Sequence, residues 1–374
     1  MQLLGQKVYK SKVAIISAIA AMTYVSGIPA KSQEIPSPPD VIIESEPTDS
    51  ESVTPEDTIP EIESESVLST WKRPRLVYAL PKQQGSIDSL LFSPDSSILI
   101  SGGGSNDAHM RFWSVETGKE LEKIRAQNTA ILTMALDPKT NILVSGGEDA
   151  VINLWDWQSG QYQATLFQHR GSINTLRIAP DGKTLVSGAA DGIRVWDLTT
   201  LPYSPLYTLA NFRYPTNAIA INPNGYLLAS GDNEGSVRFW NIRTANFVSE
   251  FAPHTMRISG LDFIQEGRVL VTASYDRTIK LWDLESGQLL QELTGHTGAI
   301  RAIALHPEGN ILATGGTDGI ILWNLEQGRM LTKLKENEGW IQSLAFSPDG
   351  KYLASGGFDL VVRIWEDSLL NARN

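Results

Sequence analysis

Cysteine is absent from all 374 residues. That removes disulfides, thiolate nucleophiles, thiolate metal sites and the attachment point of an N-terminal lipid. Histidine is scarce, with only His109, His169, His254, His296 and His306, and their spacing is not that of a metal site. The run Gly102-Gly103-Gly104 has no Lys-Ser/Thr pair after it, so it is turn chemistry and not a phosphate loop. Charge of one sign is missing from two stretches. Residues 1–33 carry four lysines and no acid, and residues 34–70 carry eleven acids and no Lys or Arg. Residues 71–374 hold the remaining 27 basic and 31 acidic side chains, a net of −4. Such a balance lacks the concentrated basic face that nucleic acid requires. No apolar run approaches the roughly 20 residues needed to span a bilayer as a helix.

What the N-terminus does have is Lys7, Lys10 and Lys12 ahead of a mostly apolar run from Val13 to Val25, then Ser26-Gly27-Ile28-Pro29-Ala30. A basic start, an apolar stretch and a helix-breaking segment of small residues form the layout of a secretory signal. Residues 1–30 are therefore expected to be a signal peptide, cleaved after Gly27 or Ala30, that sends the protein to a periplasm, a lumen or the outside. An uncleaved membrane anchor is the alternative, and the only membrane contact foreseen. Residues 31–70, rich in Pro, Ser, Glu and Asp, cannot bury enough apolar surface to offset ordering entropy and are expected to form a disordered acidic linker.

From residue 71 onward a rhythm takes over. Trp113, Trp155, Trp196, Trp240, Trp282, Trp323 and Trp365 follow one another at steps of 42, 41, 44, 42, 41 and 42 residues. Between them lie short β-branched runs separated by Pro, Asp and Gly turns, as in Ala299–Leu305, His306-Pro307-Glu308-Gly309 and Ile311–Gly315. A first-turn proline recurs at Pro94, Pro138, Pro180, Pro223, Pro307 and Pro348, and the fifth repeat has Gln265-Glu266-Gly267 instead. A repeat of about 40–45 residues with strand-like content predicts an all-β propeller with one four-stranded antiparallel blade per repeat, seven in all. Trp155-Asp156, Trp196-Asp197 and Trp282-Asp283, with Gly295-His296, make the chain resemble the WD-repeat (WD-40 type) propeller family. The resemblance runs from about Leu76 to Trp365, within a domain set at 71–374. Only nine residues follow Trp365, too few for a fourth strand in the last repeat. Leu76-Val77-Tyr78-Ala79-Leu80 has the spacing to supply it and so to close the ring.

His169, Ser187 and Asp191 look like the parts of a nucleophilic triad. The set recurs as His254, Thr272, Asp276 and as His296, Thr314, Asp318, and that repetition argues against catalysis. A propeller needs a stabilising device in every blade. The resemblance implies structural tetrads in which Asp meets His, His meets the hydroxyl and the hydroxyl meets Trp196, Trp282 or Trp323. Gln83, Gln127, Phe212 and Asn337 occupy the His position elsewhere, and Glu234 the turn Asp position of repeat four. Those blades are expected to be less firmly locked.

The resemblance also implies partner contacts on the propeller's narrow face, from residues flanking the inner-strand apolar position and from the residue before the turn Asp. In repeats one to four those positions are mostly small or amide side chains. In repeats five to seven they include Arg257, Tyr275, Arg301, Trp340 and Phe358, residue types that dominate binding hot spots. The expectation is a monomeric, non-catalytic scaffold without a cofactor, gripping one or more proteins or peptides in an off-centre groove. The alternative is an enzyme or small-molecule binder using the central channel, which would need inward polar residues confined to one or two blades.

Overall fold

The computed structural model describes residues 71–200, 203–209, 215–334 and 339–367. The expected signal peptide and acidic linker, with Phe212 and Asn337, lie outside them. Among the described residues are twenty-eight strands, from β1 (Pro74–Ala79) to β28 (Arg363–Asp367), in seven four-stranded antiparallel sheets. The first sheet takes β2 (Ile87–Phe92), β3 (Ile98–Gly103), β4 (His109–Ser114) and β5 (Glu120–Arg125) in chain order, and five more quartets repeat the pattern. The seventh, β26 (Ile341–Phe346), β27 (Tyr352–Gly357) and β28, is completed by β1, with Leu76 opposite Trp365 and Pro74 opposite Asp367. The fold is the seven-bladed propeller that the tryptophan spacing predicts, closed by its N-terminal strand.

Four hairpin turns place glycine where φ is positive, and Ala245 takes that place in repeat four. Gly118, Gly160, Gly287 and Gly328 all have φ between 61° and 66°, the left-handed region that glycine enters without a Cβ penalty. In repeat five, where the proline is missing, Gln265–Gly267 forms a short 3-10 turn with positive φ at all three residues. Among the described residues no helix is long and apolar enough to cross a membrane.

The core is distributed between blades. Seven hydrophobic clusters are present, and each is shared by two consecutive repeats. One of them joins Ala354, Val362 and Ile364 of the last sheet to Ile87, Leu90 and Trp113 of the first. Two sheets approach so closely at this seam that a Cβ on Gly356 would lie 2.5 Å from Ile87 Cγ2, just as one on Gly315 would lie 2.4 Å from Ile341 Cγ2 at the preceding seam. Trp71, ahead of β1, is fully buried at the sixth–seventh seam, edge-on to Phe346 at 5.1 Å.

Closure can be tested at the glycines. Gly356→Ala should lower stability by about 1–3 kcal/mol, the cost of overpacking a filled core, and should match Gly315→Ala in urea denaturation. A silent Gly356→Ala beside a costly Gly315→Ala would mean that the last and first blades do not pack together.

Candidate functional site: tetrads, an arginine–aromatic stack and the channel

The apparent triads are assembled as the repeat implies. His169 Nδ1 is 2.6 Å from Asp191 Oδ1 and Nε2 is 2.7 Å from Ser187 Oγ, which accepts from Trp196 Nε1 at 2.8 Å. In the fifth blade His254 meets Asp276 at 2.9 Å and Thr272 at 2.8 Å, and Trp282 donates to Thr272 at 3.3 Å. The sixth has His296 to Asp318 and to Thr314, both 2.7 Å, with Trp323 donating to Thr314 at 2.8 Å. A carboxylate only accepts and an indole N–H only donates, so with a neutral imidazole the protons run in one order. Nδ1–H donates to Asp, the hydroxyl donates to Nε2, and the indole donates to the hydroxyl. The His rings are buried, and the hydroxyls are wholly so. None of the three tetrads offers an exposed hydroxyl.

The remaining blades are better secured than the missing histidines suggest. In the first, Gln83 Nε2 donates to Ser101 Oγ at 3.0 Å, and Arg111 bridges Gln83 Oε1 at 3.0 Å and Asp107 at 2.6 Å. In the second, Gln127 reaches Ser145 Oγ at 3.3 Å and accepts from Asn153 at 2.8 Å. The expectation for Glu234 needs correcting. Glu234 is exposed, and the turn carboxylate of blade four is Asp232, two residues earlier. Asp232 is buried, bonds Arg238 at 2.7 Å and accepts from the backbone N–H of Glu234 and Ser236. In the seventh, Arg363 pairs with Asp359. All seven repeat tryptophans donate to a strand hydroxyl, at 2.8–3.3 Å.

At the end of the ring where the Asp turns lie, the backbone joins two of the position sets singled out in the sequence. Tyr275 N–H donates to Arg257 O at 3.0 Å and Phe358 N–H to Trp340 O at 3.1 Å. Their side chains form one unbroken stack across three blades. The Arg257 guanidinium lies 5.3 Å from the Tyr275 ring centre. Arg301 sits between Tyr275, at 5.2 Å, and Trp340, at 4.8 Å. Trp340 meets Phe358 edge-on at 5.7 Å and 88°. The arginines and Tyr275 are half-buried, whereas Trp340 and Phe358 are 48% and 50% exposed. Arg301 is steadied further by Gln342 Oε1 at 3.0 Å. All five residues named from sequence therefore come together. A pre-stacked guanidinium loses little side-chain entropy when a partner arrives.

Behind the stack opens the central channel, with a cavity of about 560 Å³ lined by the inner strands. Midway down it, ring positions that are Leu or Ala in five blades hold Arg177 and Asp262 in blades three and five. Each lies in the other's field, and burial pushes the Asp262 carboxyl up. Sequence reasoning passed over both. Their departure from the Leu/Ala pattern at one inner-strand position was the available signal.

With the geometry established, comparison with known proteins is direct. A family model described as "WD domain, G-beta repeat" (WD40) matches seven successive segments: 74–114, 118–156, 160–197, 203–241, 245–283, 287–324 and 328–366. The chain belongs to the WD40 family. It is 31% identical over 177 residues to Anaphase-promoting complex subunit cdh1 of Dictyostelium discoideum, covering 47% of this chain and 18% of that protein. It is 25% identical over 192 residues to Autophagy-related protein 16 of Arabidopsis thaliana, covering 51% of this chain and 37% of that one. The chain thus spans well under half the length of either relative.

Two predictions follow from the tetrads. Asp318→Ala and Asp232→Ala should each cost about 2–4 kcal/mol, because they strand buried partners, and exposed Glu234→Ala less than about 0.5. Equal melting shifts for all three would refute this. The second concerns pH. Burial is the main cause that holds His169, His254 and His296 below the usual imidazole range, against the pull of their aspartates. For Asp318, burial acts upward but is outweighed by His296 and the Thr297 N–H, which bring it to about 2. A group depressed on folding stabilises above its unfolded pKa and loses that contribution as pH falls through the folded one. Melting temperature should therefore decline first as pH drops below about 6.5, as the histidines charge, and again between about 4 and 2. His169→Gln/His254→Gln/His296→Gln, copying Gln83 and Gln127, should flatten the first decline and, because His296 helps hold Asp318 down, shrink the second; an unchanged profile between pH 7 and 5 would count against it.

Proposed function

We propose that this WD40 propeller is a non-catalytic scaffold that captures partner proteins at the end of the ring bearing the Asp turns, through Arg257, Tyr275, Arg301, Trp340 and Phe358. The observation that carries this reading is the continuous arginine–aromatic stack. Two half-exposed rings backed by two oriented guanidiniums form the kind of surface on which a few residues supply most of the binding energy. The repetition of His–hydroxyl–Asp sets in buried tetrads removes the strongest hint of an enzyme. A relative named as a subunit of a complex is consistent with a role in assembly. We extend the reading to location: Lys7, Lys10, Lys12 and the run from Val13 to Val25 support export by a signal peptide, with anchoring by the same segment as the other outcome. The protein acts as a monomer.

One observation favours a second reading. Arg177 and Asp262 are inward charges confined to two blades, the feature expected of a channel that binds a small molecule. Affinity capture from the protein's own compartment separates the two. Trp340→Ala/Arg301→Ala should abolish recovery of the partner, whereas Arg177→Ala/Asp262→Ala should leave it intact. Full recovery by the first variant would end the scaffold proposal, and loss only in the second would move the site into the channel.

A further inference from the structure

The stack accounts for only one side of the channel mouth. Three buried side-chain atoms around that mouth have no hydrogen-bond partner: Arg257 Nε, Arg301 Nε and Asp88 Oδ1. Buried polar atoms left in this state are costly, and more so when they belong to charged groups. The two arginines have aromatic faces, and Arg301 one amide, but no carboxylate: neither forms an ion pair among the described residues.

Asp88 is the counterpart in blade one. It occupies the inner-strand position equivalent to Arg301, one blade beyond Gln342. Its carboxylate lies against the bare backbone of Gly104, where a Cβ would stand 2.4 Å from Oδ2. Ser86 donates a hydrogen bond to it, and no lysine or arginine among the described residues pairs with it. Burial, joined by the like charge of Glu148 in blade two, pushes the Asp88 carboxyl up against the Ser86 hydrogen bond. The mouth is therefore electrically divided. Blades five and six present unpaired cations, blades one and two present unpaired anions, and the Trp340–Phe358 wedge of blade seven lies between.

Resting on the scaffold reading, we infer that the partner is a bipolar segment: one short extended loop that sets a carboxylate against Arg257 and Arg301, a lysine or arginine against Asp88 and Glu148, and an apolar side chain over Trp340 and Phe358. A purely acidic segment would answer the arginines but bring like charge to Asp88. A purely basic one would do the reverse. Only a segment carrying both signs answers the two guanidiniums and the Asp88 carboxylate together, and such complementarity also fixes its direction across the face.

The test uses a random 12-residue peptide library displayed on phage and panned against the full chain, against Arg257→Gln/Arg301→Gln, against Asp88→Asn/Glu148→Gln, and against Trp340→Ala/Arg301→Ala. Each variant is first shown by melting to be folded. The full chain should select peptides that carry both an acid and a base. Arg257→Gln/Arg301→Gln should lose the enrichment of acids alone, and Asp88→Asn/Glu148→Gln that of bases alone. For one selected synthetic peptide, each variant should weaken binding at least about tenfold, and neutralising the matching peptide charge should then cost nothing further. Enrichment of one sign only, or bases that persist with Asp88→Asn/Glu148→Gln, would overturn bipolar recognition and leave the scaffold standing. Peptides recovered equally by Trp340→Ala/Arg301→Ala would sink both.

Discussion

An indole buried between two sheets has no water for its N–H, and every blade of this ring meets that constraint in the same way. Seven tryptophans recur, and seven serine or threonine hydroxyls on the neighbouring strand accept from them. The hydroxyl then needs a partner on its other side, and the turn carboxylate beyond needs a donor. Histidine satisfies both at once in three blades. Elsewhere Gln83 with Arg111, or Gln127 with Asn153, does the same work with more atoms. What persists around the ring is the satisfied indole, and the means of satisfying it varies.

The same economy governs the seams. No blade can bury both its faces alone, so each hydrophobic cluster is assembled from two repeats. Close approach then places a β-branched side chain against bare backbone, as Ile87 against Gly356 and Ile341 against Gly315. At its closure β1 pairs with β28, so the last blade has four strands like the others. Rigidity of this kind is what allows side chains from three separate blades to be held as one stack.

Much of this was legible in the residues. Spacing gave seven sheets and the closing strand, because a period of about 42 is a property of the chain and not of its environment. Position within the repeat gave Arg257, Tyr275, Arg301, Trp340 and Phe358, since equivalent residues must lie at equivalent places on a ring. Two things were hidden. Asp232 replaces a carboxylate expected at Glu234 because a turn can accept its ligand from either side of its apex, and aligned spacing cannot see which side folds inward. Asp88 looked like one more small polar residue in a bland half of the face. Its significance lies in having Gly104 beneath it and no cation beside it, and neither is a feature of its own position.

Function on a repeat fold resides where the repeat is broken. The His–hydroxyl–Asp sets recur with period in three blades and their hydroxyls are wholly buried, the pattern of a repeated stabilising device. The arginines, the exposed aromatics and Asp88 share three ring positions that are mostly small, hydroxyl or amide side chains in other blades. A ring of equivalent sheets requires none of them, and Arg257, Arg301 and Asp88 are half-buried with one side-chain atom each left without a hydrogen-bond partner. On the proposed scaffold reading, these charges would be paired in the bound state. Their division into a basic arc and an acidic arc would then give that bound state a direction.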